Sequence, residues 1–417
     1  MSPRPWLCLP AWTALGATLF FGAARAVADH CRTVPPSNDQ HPPYSARWTW
    51  EARCAAQQQL VALMDAHTGP LEADMLADAS DGRLDRHTLL SAALIASGVG
   101  DRATLERQEA AFRSALRRLH HHLADSHCLR EKARSVFQFM HEELLFGGYA
   151  LQTTDLRETF RSGKYNCLTA TIIFNCLANE VGLPTCAVRS PGHALSRVFL
   201  PDGSLDVETT CPRWFQLSGR PAEQAEHVRQ TLGTTPASRS GAQEASEVEL
   251  VAMIYYNRGV DLLAAERFAE AAAANLKSLR LYPNSPTARG NLLATINNWA
   301  IELARQRQFA EAAHLLRLGM ALEPSFQTFM VNYVFLHQQW TAQLCQQGMA
   351  DQALRLLRQQ AAAFPQETFF ARAAAELQSR QRSTATHTQP DRAEVFQSPA
   401  PAALTIPNSG SPSAPTQ

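Results

Sequence analysis

Apolar positions recur at helical spacing over Trp50–Ala66, His87–Ser97, Ala103–Leu123 and Arg130–Leu145, and predict four amphipathic helices. Gly98 and Gly100, then Gly147-Gly148, stand where such helices stop. The period changes after residue 160. Asn166 suits a helix N-cap, and Cys167–Val181 reads as a helix closed by Gly182 and Pro184. Alternation then takes over. Thr185–Arg189 and His193–Leu200 read as strands, Pro201-Asp202-Gly203-Ser204 as a turn, and Leu205–Thr210 as the returning strand. Pro221–Leu232 reads as a further helix, and Gly233–Ala242 is rich in Gly, Thr, Ser and Pro, as a linker is.

From Glu247 onward the pattern repeats. Arg267-Phe-Ala-Glu-Ala-Ala, Gln308-Phe-Ala-Glu-Ala-Ala and Met349-Ala-Asp-Gln-Ala-Leu each open an amphipathic run. The runs end at Pro283, Pro324 and Pro365, which are 41 apart. A helix with small or aromatic positions precedes each: Tyr255–Gly259, Asn297–Ala300 and Gln338–Thr341. These features resemble the tetratricopeptide repeat, whose usual period is about 34. The surplus of about 7 residues, some two helical turns, is expected in a lengthened first helix. Tyr255, Trp299 and Trp340 read as packing residues. Asn257 and Asn298 are candidate contacts for a peptide in a concave groove, the way repeat arrays bind partners. From Ser379 apolar content falls and prolines accumulate, so a disordered tail is expected.

The chain has 417 residues, enough for two or three domains, and 45% of them are apolar. Lys+Arg and Asp+Glu are both 38, and no dense basic run occurs, which argues against binding nucleic acid through its phosphates. Arg4, the apolar Trp6–Phe21 and the small residues Ala26-Val27-Ala28 read as a cleavable secretory signal. The run is short for a bilayer span, and no other stretch is apolar enough to cross one. The expectation is an exported protein, periplasmic or secreted, with a membrane anchor only if the signal stays uncleaved. The division expected is a signal over 1–28, an extended lead-in over 29–49, a helical region over 50–150, a central core over 151–232, a linker over 233–246, repeats over 247–378 and a tail over 379–417.

Cys8 leaves with the signal, and the eight other cysteines contain no C-x-x-C pair, so a zinc ribbon is not expected. In an oxidising compartment some of them would pair. Cys176 and Cys186 read as small core residues. His120-His121-His122 read as a solvated helix face, because adjacent histidines on a helix point in different directions. No metal and no cofactor is expected.

Cys167 carries different chemistry. At the first position of a helix, a thiolate is stabilised by unpaired backbone N–H groups and the helix dipole. The same groups suit an oxyanion. His193 opens a strand and can serve as base, with an acid on its far ring nitrogen to fix its tautomer. Asp206 and Glu208 are two apart on the next strand, so they share a face, and strand parity admits either as the acid.

Asn166-Cys167, Gly182-Leu-Pro184, Gly192-His-Ala194 and Val207-Glu-Thr-Thr210 follow one another in the order found in the transglutaminase-like cysteine hydrolase and transferase superfamily, which the segment Arg157–Trp214 resembles. The resemblance implies a papain-like core of a helix plus antiparallel sheet, and so an α+β chain with a helical N-terminal region and an all-α repeat array. It implies Cys167 as nucleophile, His193 as base and Glu208 at the acid position, with Asp206 as the alternative acid. It also implies hydrolysis or transfer at amide bonds. Glu208 stands where the family has Asp, Leu195 where many members have Trp, and Thr209 where the family has Pro; Tyr165 and Trp214 are the aromatic residues expected to line the site instead. The leading expectation is a cysteine-dependent peptidase, amidase or transglutaminase-like enzyme whose repeats hold a protein or peptide. The alternative is a non-catalytic interaction scaffold with a degenerate core.

Overall fold

The computed structural model describes residues 49–123, 128–190, 192–232 and 242–386. The expected signal, nearly all of the lead-in, and the tail from 387 onward lie outside the described residues. The rest is mostly helical, with a small antiparallel sheet and a C-terminal helical array.

The N-terminal helices are α1 (Trp50–Ala66), α2 (Pro70–Asp78), α3 (Leu89–Ala96), α4 (Arg102–His122) and α5 (Leu129–Phe139), the last running into a π-turn at Met140–Leu144. Most are capped as their sequences dictate: the side chains of Thr49, Thr88, Asp101 and Cys128 accept backbone N–H groups at the starts of α1, α3, α4 and α5. Helix α2, absent from the apolar periodicity, starts with Pro70 at its first position.

Next come the short strand β1 (Gly148–Tyr149), α6 (Leu156–Ser162), β2 (Lys164–Tyr165) and the central helix α7 (Cys167–Glu180). The sheet follows: β3 (Thr185–Ser190), β4 (His193–Leu200) and β5 (Gly203–Val207), then α8 (Pro221–Leu232) and β6 (Gln243–Ala245). Its order is β5-β4-β3-β6, all antiparallel. Two expectations change here. The returning strand ends at Val207, because the next residues turn back on the Glu208 side chain. Part of the expected linker, residues 243–245, is a strand, since the edge of β3 supplies backbone partners that its polar sequence does not advertise.

The array consists of α9 (Glu247–Ala264), α10 (Phe268–Leu281), α11 (Pro286–Arg305), α12 (Phe309–Leu322), α13 (Thr328–Gln346), α14 (Ala350–Ala363) and α15 (Thr368–Thr386). First helices of 18, 20 and 19 residues alternate with second helices of 14, so the surplus length lies in the first helices. The period shows in the packing. Phe268 stacks on Trp299 at 6.4 Å, and Phe309 on Trp340 at 6.0 Å, each pair displaced 41 residues from the other. Residues 379–386, expected in the tail, continue α15.

The buried residues do not respect the expected boundaries. One core joins α3, α5, α7 and the sheet to α9, through Val248, Val251, Ile254 and Tyr255. A second core runs through the array and includes Ala56, Leu60 and Met64 of α1. Helix α1 therefore packs on α10 and α12, away from the other N-terminal helices. Its buried Leu60 and Met64 contribute roughly 1.5–3 kcal/mol each to that attachment. The neighbouring α2 is tied down by an ion pair, Lys277 Nζ to Glu72 Oε2 at 2.7 Å; Glu72 also accepts from the Tyr255 hydroxyl at 2.8 Å.

Candidate active site

The route to Cys167 begins with a close backbone approach. Gly147 donates to the Gly163 carbonyl at 3.0 Å, and a Cβ on Gly147 would lie 2.3 Å from the Ser162 carbonyl oxygen. Gly163 has φ +70° and ends α6. The two glycines let β1 run parallel to β2, with Tyr149 opposite Tyr165 and Ala150 N–H bonded to the Tyr165 carbonyl at 2.7 Å. Tyr165 is two residues before Cys167, so β1 is registered against the start of α7 by main-chain bonds.

Asn166 caps α7 in a capping box with Thr169: Thr169 N–H donates to Asn166 Oδ1 at 3.0 Å, and Asn166 N–H donates to Thr169 Oγ1 at 2.9 Å. The Asn166 amide also donates to the Leu151 carbonyl and to Thr154 Oγ1. Cys167 is thus the first helical residue, and its backbone N–H has no acceptor among the described residues. Its thiol is free and partly exposed. The other central thiols are differently placed. Burial raises Cys176 far above the usual thiol range, Cys186 to about 11 and Cys211 to about 12. All seven described cysteines carry free thiols.

His193 starts β4 and pairs with Ser190 at the end of β3. Its Nε2 lies 2.7 Å from Glu208 Oε2, with side-chain exposures of 9% and 5%. Glu208 Oε1 accepts from Thr210 Oγ1 at 2.6 Å and from Thr210 N–H at 3.3 Å. The carboxylate is therefore gripped on one side and faces the imidazole with the other. Nδ1 is left free of Glu208, and Cys167 is close enough to the imidazole to favour its charged form. Burial opposes a charge on the ring, but the hydrogen bonds to Cys167 and Glu208, reinforced by their charges, outweigh it and raise the His193 pKa.

Asp206 is held elsewhere. It lies directly across from Arg197 on β4 and accepts from its Nε at 2.7 Å and its Nη2 at 3.2 Å. The structure thus brings Cys167, His193 and Glu208 together and leaves Asp206 to Arg197. Of the aromatic residues expected at the site, Tyr165 donates to the Thr210 carbonyl at 3.4 Å behind Glu208, and Trp214 donates to the Asp206 carbonyl at 3.2 Å. The ring of His141, from the π-turn, lies edge-on to Tyr165 at 5.6 Å.

Two residues beside the thiol were not singled out for chemistry in the sequence. Tyr149 of β1 and Tyr256 of α9 both feel the charge of Cys167; burial, then that charge, raises each phenol. Tyr256 packs against both cores. Asn257 and Asn298 are half-exposed. Neither lines the groove of about 580 Å³ on the array, which is bounded by Ile301, Phe335, Asn332, Gln339 and Gln343 among others. Comparison of the chain with protein-family models, with curated proteins and with solved structures finds no match in any of the three.

Proposed function

We propose that this chain is an exported cysteine-dependent acyl-transfer enzyme, a peptidase, amidase or transglutaminase-like transferase acting on amide bonds of a protein or peptide. In this reading α7 and the sheet form a papain-type, transglutaminase-like core, and the array is of the tetratricopeptide type and holds the substrate. The observation that carries it is the run of contacts from a helix-opening thiol through His193 to a buried, doubly gripped Glu208.

The chemistry follows from those contacts. Nε2–H donates to Glu208, so Nδ1 takes the thiol proton and the ion pair of thiolate and imidazolium forms. The thiolate adds to the substrate carbonyl carbon, and the Cys167 N–H faces the oxygen that becomes negative. Collapse expels the amine, which leaves with the proton from Nδ1, and a thioester remains on Cys167. Water or a second amine then enters, with His193 as its base. Among the described residues no helix is long and apolar enough to cross a membrane.

The test uses an activated acyl ester on the full chain. The wild type is expected to gain one acyl group on Cys167, located by peptide mass spectrometry; Cys167→Ala should gain none, and His193→Ala should gain it far more slowly. Acylation spread over the exposed thiols and indifferent to His193 would leave the rival scaffold reading, for which the array groove is the supporting observation.

A further inference from the structure

Buried phenols normally satisfy their hydroxyls. Six tyrosines are described, and four do so: Tyr165 to the Thr210 carbonyl, Tyr255 to Glu72, Tyr282 with Arg189, and Tyr333 to Gln360. The hydroxyls of the half-buried Tyr149 and Tyr256 have no partner among the described residues, and both phenols lie within electrostatic reach of Cys167. An unpaired donor at a thiol nucleophile is placed to serve something that arrives with the substrate.

Resting on the acyl-transfer reading, we infer that the Tyr149 hydroxyl is a catalytic oxyanion donor, acting with the Cys167 backbone N–H on the carbonyl oxygen of the acyl group. Tyr149 is favoured over Tyr256 by its anchoring. Its strand is hydrogen-bonded to the segment that enters α7, and its ring packs edge-on to Tyr165 at 6.1 Å, so phenol and helix terminus are fixed in one frame. Tyr256, on α9, has no such main-chain or ring contact with the segment entering α7 among the described residues. A phenol is protonated at neutral pH without any shift, so Tyr149 is a donor there, and burial raises it further.

As the Cys167 sulfur bonds to the carbonyl carbon, the π pair moves onto oxygen and the phenol O–H donates to it without giving up its proton. When the carbon–leaving-group bond breaks, the pair returns and the hydrogen bond weakens to that of a neutral carbonyl. The donor therefore acts on addition to a carbonyl and not on displacement at an sp³ carbon, which generates no oxyanion.

That difference supplies the experiment. The full chain and its Tyr149→Phe variant are reacted with p-nitrophenyl acetate and, separately, with iodoacetamide, and modification of Cys167 is timed in each. Loss of one oxyanion donor is expected to slow acetylation on the order of 100-fold while leaving alkylation within about twofold. A thermal melt of the variant checks the fold, whose ring contact with Tyr165 phenylalanine retains. Equal slowing of both reactions would assign the phenol to the thiol itself and overturn the inference, as would no change in either. A wild type whose Cys167 alkylates rapidly but never acetylates would instead bring down the acyl-transfer reading, and the inference with it.

Discussion

Replacing Glu208 with Gln removes one charge and almost no volume. The carboxylate now accepts on both sides, from Nε2–H of His193 and from Thr210 N–H and Oγ1–H. A carboxamide has one oxygen. If that oxygen faces His193, the amide NH₂ is pressed against the Thr210 N–H, a donor that cannot turn away. If it faces Thr210, the NH₂ confronts Nε2 and forces the proton onto Nδ1, where it cannot accept from the thiol. Either arrangement forfeits a buried, charge-assisted hydrogen bond, about 1.5–3 kcal/mol. At 1.4 kcal/mol per decade, that is about 10- to 150-fold less imidazolium–thiolate pair. The sign follows from the raised pKa of His193. Glu208 stabilises the charged ring, so its neutral replacement lowers that pKa, and the imidazolium is lost at a lower pH than in the wild type. The readout is the alkylation rate of Cys167 by iodoacetamide across pH, followed by peptide mass spectrometry, with exposed Cys128 of the same chain as the reference. Asp206→Asn is the control. It disturbs a cross-strand pair with Arg197 and should leave Cys167 within about twofold of wild type, at a stability cost of about 1 kcal/mol or less. If Asp206→Asn slows Cys167 more than Glu208→Gln does, the assignment of the acid is wrong.

The other expectations concern the scaffold. Glu266 and Arg307 adopt positive φ, 57° and 61°, at positions 41 apart, and the third equivalent position is Gly348. Glu266→Gly and Arg307→Gly should each stabilise by about 1 kcal/mol, seen as a higher urea midpoint at unchanged slope, and Gly348→Ala should cost a similar amount. Lys277→Ala should cost about 3–5 kcal/mol in the same assay, because it strands Glu72 among buried groups; Lys277→Met with Glu72→Gln should recover most of that loss. Burial pulls two imidazoles down to about 4, His141 beneath the site and His337 in the array. Both are charged in the unfolded chain below about 6.5, so the unfolded state binds more protons and stability falls as pH drops from about 6.5 toward 4. His337→Phe should flatten that slope in acid titrations followed by circular dichroism.

Much of the site was legible because its determinants are local. Asn166 followed by Cys167 marks a helix start, and the alternation from His193 marks a strand. The acid was legible in principle too. A turn at Pro201–Ser204 with Leu200 opposite Gly203 puts Arg197 opposite Asp206, which pairs that acid by register and leaves Glu208 for the histidine. Strand parity alone misses this, since it assigns faces and not partners. Tyr149 was hidden for another reason: its strand is two residues long and exists because Gly147 and Gly163 touch, an approach between separate segments that no periodicity records. Tyr256 was hidden by its neighbour. Tyr255 is fully buried and is the packing residue of the motif, whereas Tyr256, one step round the helix, is half-buried and within electrostatic reach of the thiol. The Gly-, Thr-, Ser- and Pro-rich stretch before α9 reads as a linker. Helix α9 instead shares one core with α7 and the sheet, because Val248, Val251, Ile254 and Tyr255 make its second apolar face.

In the proposed acyl-transfer reading, that shared helix bears on how substrate holding and chemistry would be coupled. If the array were tethered only by the segment 233–246, it would raise the local concentration of a bound protein but could not orient the bond to be attacked. Here the first array helix packs on α3, α7 and β3 and brings Tyr256 within electrostatic reach of the thiol. On the other side, α1 lies in the array core, and the Lys277 ion pair with Glu72 closes the connection. The array is therefore attached to the body that holds Cys167 by a sequence-early clasp and by a helix common to both cores. A peptide held along the array would reach Cys167 in a defined direction, so the register of the repeats, and not affinity alone, would decide which carbonyl meets the sulfur.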